Sequence, residues 1–121
     1  MRSLIIPLLA AGVVFASAGD EPSERQMRGA FEQSLAAQVR NAMQFVNDTG
    51  GAEALAKVHE AGTDRFDIHA FRKQGCIRAV DAAGHLCAFT VEVGVVNGAL
   101  HRSLSGRFHT STGGLAFTPA I

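Results

Sequence analysis

The chain has 121 residues, and its 11 basic side chains balance 11 acidic ones. A length of this order allows one domain with a modest core. The even charge argues against nucleic acid or an anionic membrane as the main partner, because both select for a basic surface.

Arg2 supplies an early positive charge, residues 4–15 form an apolar run, and Ala16-Ser17-Ala18 are small. That is the pattern of a secretory signal peptide cleaved after Ala18. The run is shorter than the roughly 20 apolar residues of a membrane span. The expected organisation is a signal peptide over 1–18 and a single domain over 19–121. The mature protein is expected to be periplasmic or secreted, with no membrane insertion after cleavage.

A helix is predicted next. Pro22 suits its start, and Ser23 with Gln26 three residues on makes a capping-box pattern. Met27, Phe31, Leu35, Val39, Ala42 and Val46 recur every three or four residues as one apolar stripe. Asn47-Asp48-Thr49-Gly50-Gly51 predicts its end. A shorter helix is expected over 52–61, with Leu55 and Val58 as contacts and Gly62 as a left-handed cap.

Strands follow. Phe66, Ile68 and Ala70 alternate with Asp67, His69 and Phe71, predicting a strand over 66–76. Cys87, Phe89, Val91, Val93 and Val95 alternate with Ala88, Thr90, Glu92 and Gly94, so a strand over 85–96 has one buried face. Asn97-Gly98 signals a two-residue hairpin turn. The strand beyond it, over 99–110, carries Leu100, Leu104 and Phe108. A turn loop with Val96 facing Ala99 would set Val95 against Leu100, Val91 against Leu104 and Cys87 against Phe108. It would also set Phe89 over Gly106 and Arg102 against Val93. A last strand is expected over 115–118, with Pro119 guarding the edge.

Cys76 and Cys87 are the two cysteines of the chain. Setting them opposite each other places Ala70 against Val93 and Ile68 against Val95, apolar against apolar. An exported chain meets an oxidising compartment, so a Cys76–Cys87 disulfide is expected. The competing reading is a metal held by Cys76, His85, Cys87 and a further histidine. It lacks a C-x-x-C or H-x-x-x-H spacing, and no metal or cofactor is assigned. The fold expectation is α+β: N-terminal helices packed on one face of a four-stranded antiparallel β-meander.

A leading amphipathic helix before a curved meander, stapled in its first hairpin, resembles the cystatin-like and nuclear-transport-factor-2-like architectures. Gly75-Cys76, Leu86-Cys87-Ala88-Phe89, Asn97-Gly98, Gly106-Arg107-Phe108 and Gly113-Gly114-Leu115 also resemble a pattern in small exported bacterial proteins of uncharacterised function. Cystatin inhibitors carry a Q-x-V-x-G loop. The nearest stretch here, Thr90-Val91-Glu92-Val93-Gly94, lacks the Gln and the central Val, so protease inhibition is not implied.

The residues do not assemble a catalytic set. Ser103 and Ser105 flank no G-x-S-x-G elbow, and Gly113-Gly114 opens no helix. Asp67 and Glu92 carry outward parity, which removes them as carboxylates inside the sheet. Arg102 has inward parity, and Arg72 shares it on the neighbouring strand. Two cations at a pocket mouth would suit an anionic ligand. The competing reading pairs Arg102 with a helix carboxylate such as Glu32 or Asp48. The expected function is a non-enzymatic module binding a protein or small ligand, with Arg102 and Arg72 as contacts. The alternative is a small hydrolase or isomerase using a pocket between helix and sheet.

Overall fold

Ser23 starts the folded chain much as its spacing to Gln26 predicts. In the computed structural model, which describes residues 20–120, Gln26 N donates to Ser23 Oγ at 3.1 Å and Ser23 N donates to Gln26 Oε1 at 2.9 Å. This reciprocal pair satisfies backbone donors that the first turn leaves unbonded. The expected signal peptide lies outside the described residues.

Helix α1 runs over Glu24–Ala61. Within the predicted stop over residues 47–51, residues 47–50 stay helical. These residues have weak helix propensity but no steric bar, and Thr49 folds its hydroxyl onto Phe45 O at 2.8 Å. The break falls at Gly51, whose φ of 76° and ψ of −174° divide α1 into two arms. The two expected helices are therefore present as two arms joined across a kink at Gly51, the last residue of the predicted stop. Gly62 caps it with φ 78° and donates to Val58 O and His59 O.

The strands are β1 (Asp67–Arg78), β2 (His85–Val95), β3 (Gly98–Ser111) and β4 (Gly114–Pro119), antiparallel in the order β1-β2-β3-β4. With α1 N-terminal to them and packed on β4 and β1, the fold is α+β. The core forms where the first turns of α1 meet the sheet. Met27, Ala30 and Phe31 from the helix are buried with Ile68, Phe71, Cys87, Phe89, Val91 and Phe108. Phe89 is the hub. Its ring stacks on Phe71 at 4.8 Å between centroids and meets Phe31, Phe108 and Phe117 edge-on at 5.3, 5.9 and 5.6 Å. Such tilted and offset arrangements suit the ring quadrupoles.

The stripe on α1 is used only in part. Leu35 and Val39 are half-buried, while Ala42 is exposed and Phe45 on the same arm is 67% exposed. Lys73 and Arg28 fix the helix start to β1. Lys73 Nζ donates to Pro22 O at 2.7 Å and pairs with Glu21, and Arg28 Nη2 donates to Ile68 O at 2.7 Å.

Cys76 stands opposite Cys87, and their sulfurs are bonded at 2.02 Å. The bridge takes both thiols, which removes them as the metal ligands of the competing reading. Gly75 opposite Ala88 keeps the same register, but the pairs before the second bulge differ from expectation. Ile68 faces Val93 and Ala70 faces Glu92, because β1 bulges between Ile68 and Ala70 and again between Lys73 and Gly75. Each bulge inserts one residue and reverses the facing of what precedes it.

The β2–β3 hairpin is also displaced. Its loop is Val96-Asn97, and Gly98 (φ 140°) closes the ladder against Val95. Every partner moves by two residues: Val91 faces Arg102, Phe89 faces Leu104, Cys87 faces Gly106 and His85 faces Phe108. A shift of two preserves every side chain's face, so the inward set of the strand is as expected.

Candidate functional site

The first arm of α1 does not cover the whole sheet. Between it and the β2–β3 hairpin lies an apolar groove of about 300 Å³. Its floor is Val91, Val93 and Val95 of β2 with Leu100 and Leu104 of β3, and its helix wall is Phe31, Leu35 and Val39. The chain closes one end as it turns from Gly62 into β1 through Thr63, Asp64, Arg65 and Phe66. The alternation of β2 and β3 aims these valines and leucines inward, yet Leu100 and Leu104 remain 44% and 36% exposed. The groove is thus apolar surface that the fold assembles without filling.

Arg102 stands on this face, opposite Val91, and lines the groove. Among the described residues it forms no ion pair with Glu32, Asp48 or any other carboxylate. Its Nη1 instead donates to His101 O at 2.8 Å, so the guanidinium folds along its own strand.

Arg72 is elsewhere. It pairs with Thr90, whose position alternates with the buried Phe89 and Val91, so Arg72 lies on the outer face of the sheet. The bulge between Lys73 and Gly75 is the cause. It hands the inward position to Lys73 and turns Arg72 out. The two arginines therefore do not share the apolar groove, although both line one shallow depression of the sheet. Arg72 lines this depression, of about 250 Å³, with Thr90, Glu92, His101, Arg102 and Ser103. There His69 and His101 flank Glu92 at 3.7 Å each. His69 is the residue inserted at the first bulge, and its ring lies where a side chain on Gly94 would stand.

Asp64 is one of the polar groove residues, with Thr63 and Arg65, that the sequence does not single out. Its side chain is 16% exposed, and Oδ2 lies 2.9 Å from His59 Nδ1. Oδ1 is buried with no partner among the described residues. The hydrogen bond with His59 holds the Asp64 carboxyl below its ordinary range. A signal was present: His59 ends the helix and Asp64 lies five residues on, across the Gly62 cap.

The groove thus offers an apolar body, the guanidiniums of Arg65 and Arg102, and one carboxylate oxygen without a donor among the described residues. Comparison with protein families, with curated proteins and with solved structures finds no match to this chain.

Proposed function

We propose that this chain is an exported, non-enzymatic binding module whose site is the groove between α1 and the β2–β3 hairpin. The carrying observation is the groove itself: inward-facing valines and leucines left partly uncovered, with Arg102 beside them and no carboxylate opposing it among the described residues. Apolar concavities with a few convergent polar groups are the usual form of a ligand site. Export is supported by the leader pattern and agrees with the Cys76–Cys87 bridge, since disulfides persist in oxidising compartments. N-terminal sequencing of the mature protein is expected to begin at Gly19, and a retained Met1 would refute export with cleavage.

The alternative, a small hydrolase or isomerase, draws on one observation: the His59–Asp64 pair beside the groove. A general base works best with a pKa near neutral pH, whereas the bond with His59 moves the Asp64 carboxyl away from it. That direction favours a fixed acceptor that orients a ligand over a proton carrier.

The test uses 1-anilinonaphthalene-8-sulfonate, an aromatic body with one anionic group. Its fluorescence is expected to rise on binding the folded protein. Arg102→Met, which keeps the length and removes the charge, is expected to weaken binding severalfold with little change in melting temperature. Equal binding by both proteins would refute a role for Arg102, and no binding by either would refute the groove as a site.

A further inference from the structure

The β3 strand is longer than its cover. β4 pairs with Gly106–Ser111 only, so from Gly98 to Ser105 the outer edge of β3 carries no neighbouring strand among the described residues. In an antiparallel ladder, residues alternate between bonding one neighbour and bonding the other. The two-residue hairpins set that alternation. Gly98 closes on Val95, which turns even-numbered residues toward β2, and Ser111 closes on Gly114, which turns odd-numbered residues toward the β4 side. Ala120 N donates to Ser105 O at 3.1 Å, on the same side. The backbone groups of Ala99, His101 and Ser103 therefore point out of the sheet. Arg102 Nη1 already occupies one of them, the His101 carbonyl.

Sheets usually blunt such an edge with lysine, proline, a bulge or brevity. β1 has two bulges, and β4 is six residues long and ends at Pro119. The open part of β3 has no proline and no lysine, and its ladder with β2 is unbroken.

We propose that this edge accepts an extended peptide of another protein as a fifth, antiparallel strand. The proposal rests on the binding-module reading and names the class of partner. Backbone pairing uses Ala99, His101 and Ser103. The peptide residues opposite Leu100, Arg102 and Leu104 then stand on the groove side. An acidic residue opposite Arg102 draws the guanidinium off the His101 carbonyl and frees that acceptor for the peptide. Apolar residues two positions to either side lie against Leu100 and Leu104. The recognised segment is thus apolar-x-acidic-x-apolar. A second copy of this chain fits poorly. A two-fold pairing that brings Leu100 beside Leu104 sets Arg102 against Arg102, and neighbouring registers on that face set Arg102 against leucine.

The probe is a blocked, fluorescently labelled heptapeptide of alternating Thr and Val with Glu at its centre. Fluorescence polarisation is expected to show binding, weakened at least tenfold when the centre is Lys and abolished when the amides facing β3 are N-methylated. Bound peptide is expected to slow amide exchange at Ala99, His101 and Ser103. Arg102→Glu is expected to reverse the preference from the Glu to the Lys peptide. Ser103→Pro removes one edge donor, which an edge strand tolerates, and is expected to lose peptide binding while retaining the dye. Equal binding of the N-methylated peptide, unchanged exchange at those three amides, or a dimer in sedimentation that excludes the peptide would overturn strand addition. The dye result alone decides the groove, so the two readings fail separately.

Discussion

Phe117 lies over the bare backbone of Gly106: a Cβ built at Gly106 would stand 2.3 Å from Phe117 Cε1 and 2.6 Å from Thr118 O. The glycine thus makes room for a ring that belongs to the core cluster, packed 4.9 Å from Phe108 and 5.6 Å from Phe31. Gly106→Ala is expected to lower stability by about 1–3 kcal/mol, the usual cost of overpacking a close contact. Urea unfolding of both proteins checks this, and an unchanged midpoint would show that Phe117 and the Thr118 carbonyl shift freely.

Phe89 is 1% exposed at the centre of the ring cluster. Phe89→Ala is expected to cost about 3–5 kcal/mol, because rings on several sides cannot collapse into the space together. Phe45→Ala, on the far part of α1 and 67% exposed, is expected to change stability by less than about 0.5 kcal/mol. The contrast tests whether α1 stabilises the fold through its first turns.

The Cys76–Cys87 bridge closes a short loop, with a sequence separation of 11. In the chain-entropy picture a loop of this size stabilises by about 2–3 kcal/mol. The double variant Cys76→Ser, Cys87→Ser is expected to lose that amount in denaturant unfolding. Intact mass of the native protein is expected to be about two hydrogens below the reduced form.

Acid sensitivity should report the tie between the helix start and β1. The hydrogen bond and the charge of Lys73 lower the pKa of Glu21. A lowered folded pKa gives stability that is fully present above the unfolded value, about 4.3 for glutamate, and is lost as pH falls through the folded one. Asp64, lowered by His59, has the same sign. Melting temperature is expected to fall less steeply in Glu21→Gln than in the parent between about pH 5 and pH 2. Parallel curves would mean that the pair exists equally in the unfolded chain.

Side-chain faces were more legible in the sequence than partners. Alternation with period two tells which side of the sheet a residue takes, and Phe89, Val91, Leu104 and Phe108 lie on the expected side. It cannot separate registers that differ by two, which is how the β2–β3 pairing moved while every face stayed. The capping box at Ser23 and the cysteine pairing rest on specific chemistry and were readable. The bulge at His69 has no glycine or proline to mark it, and Gly75 beside the bulge at Gln74 also fits a regular strand, so Arg72 read as inward. Arg102 lies on the inward face its parity predicts and lines the groove between helix and sheet. Asp64 was not legible as part of the groove, because its position depends on how the chain turns from Gly62 into β1.

The bulges also set which deletions β1 can absorb. Removing His69 or Gln74 would join the ladder across the gap and leave every remaining side chain of the strand on its present face. Removing Phe71 instead would set an outward residue inward and break the match with Val91. Length variation in this strand should therefore concentrate at those two positions, one residue at a time. A chain lacking both would carry a straighter, less twisted first strand, since bulges bend and twist the strand that holds them.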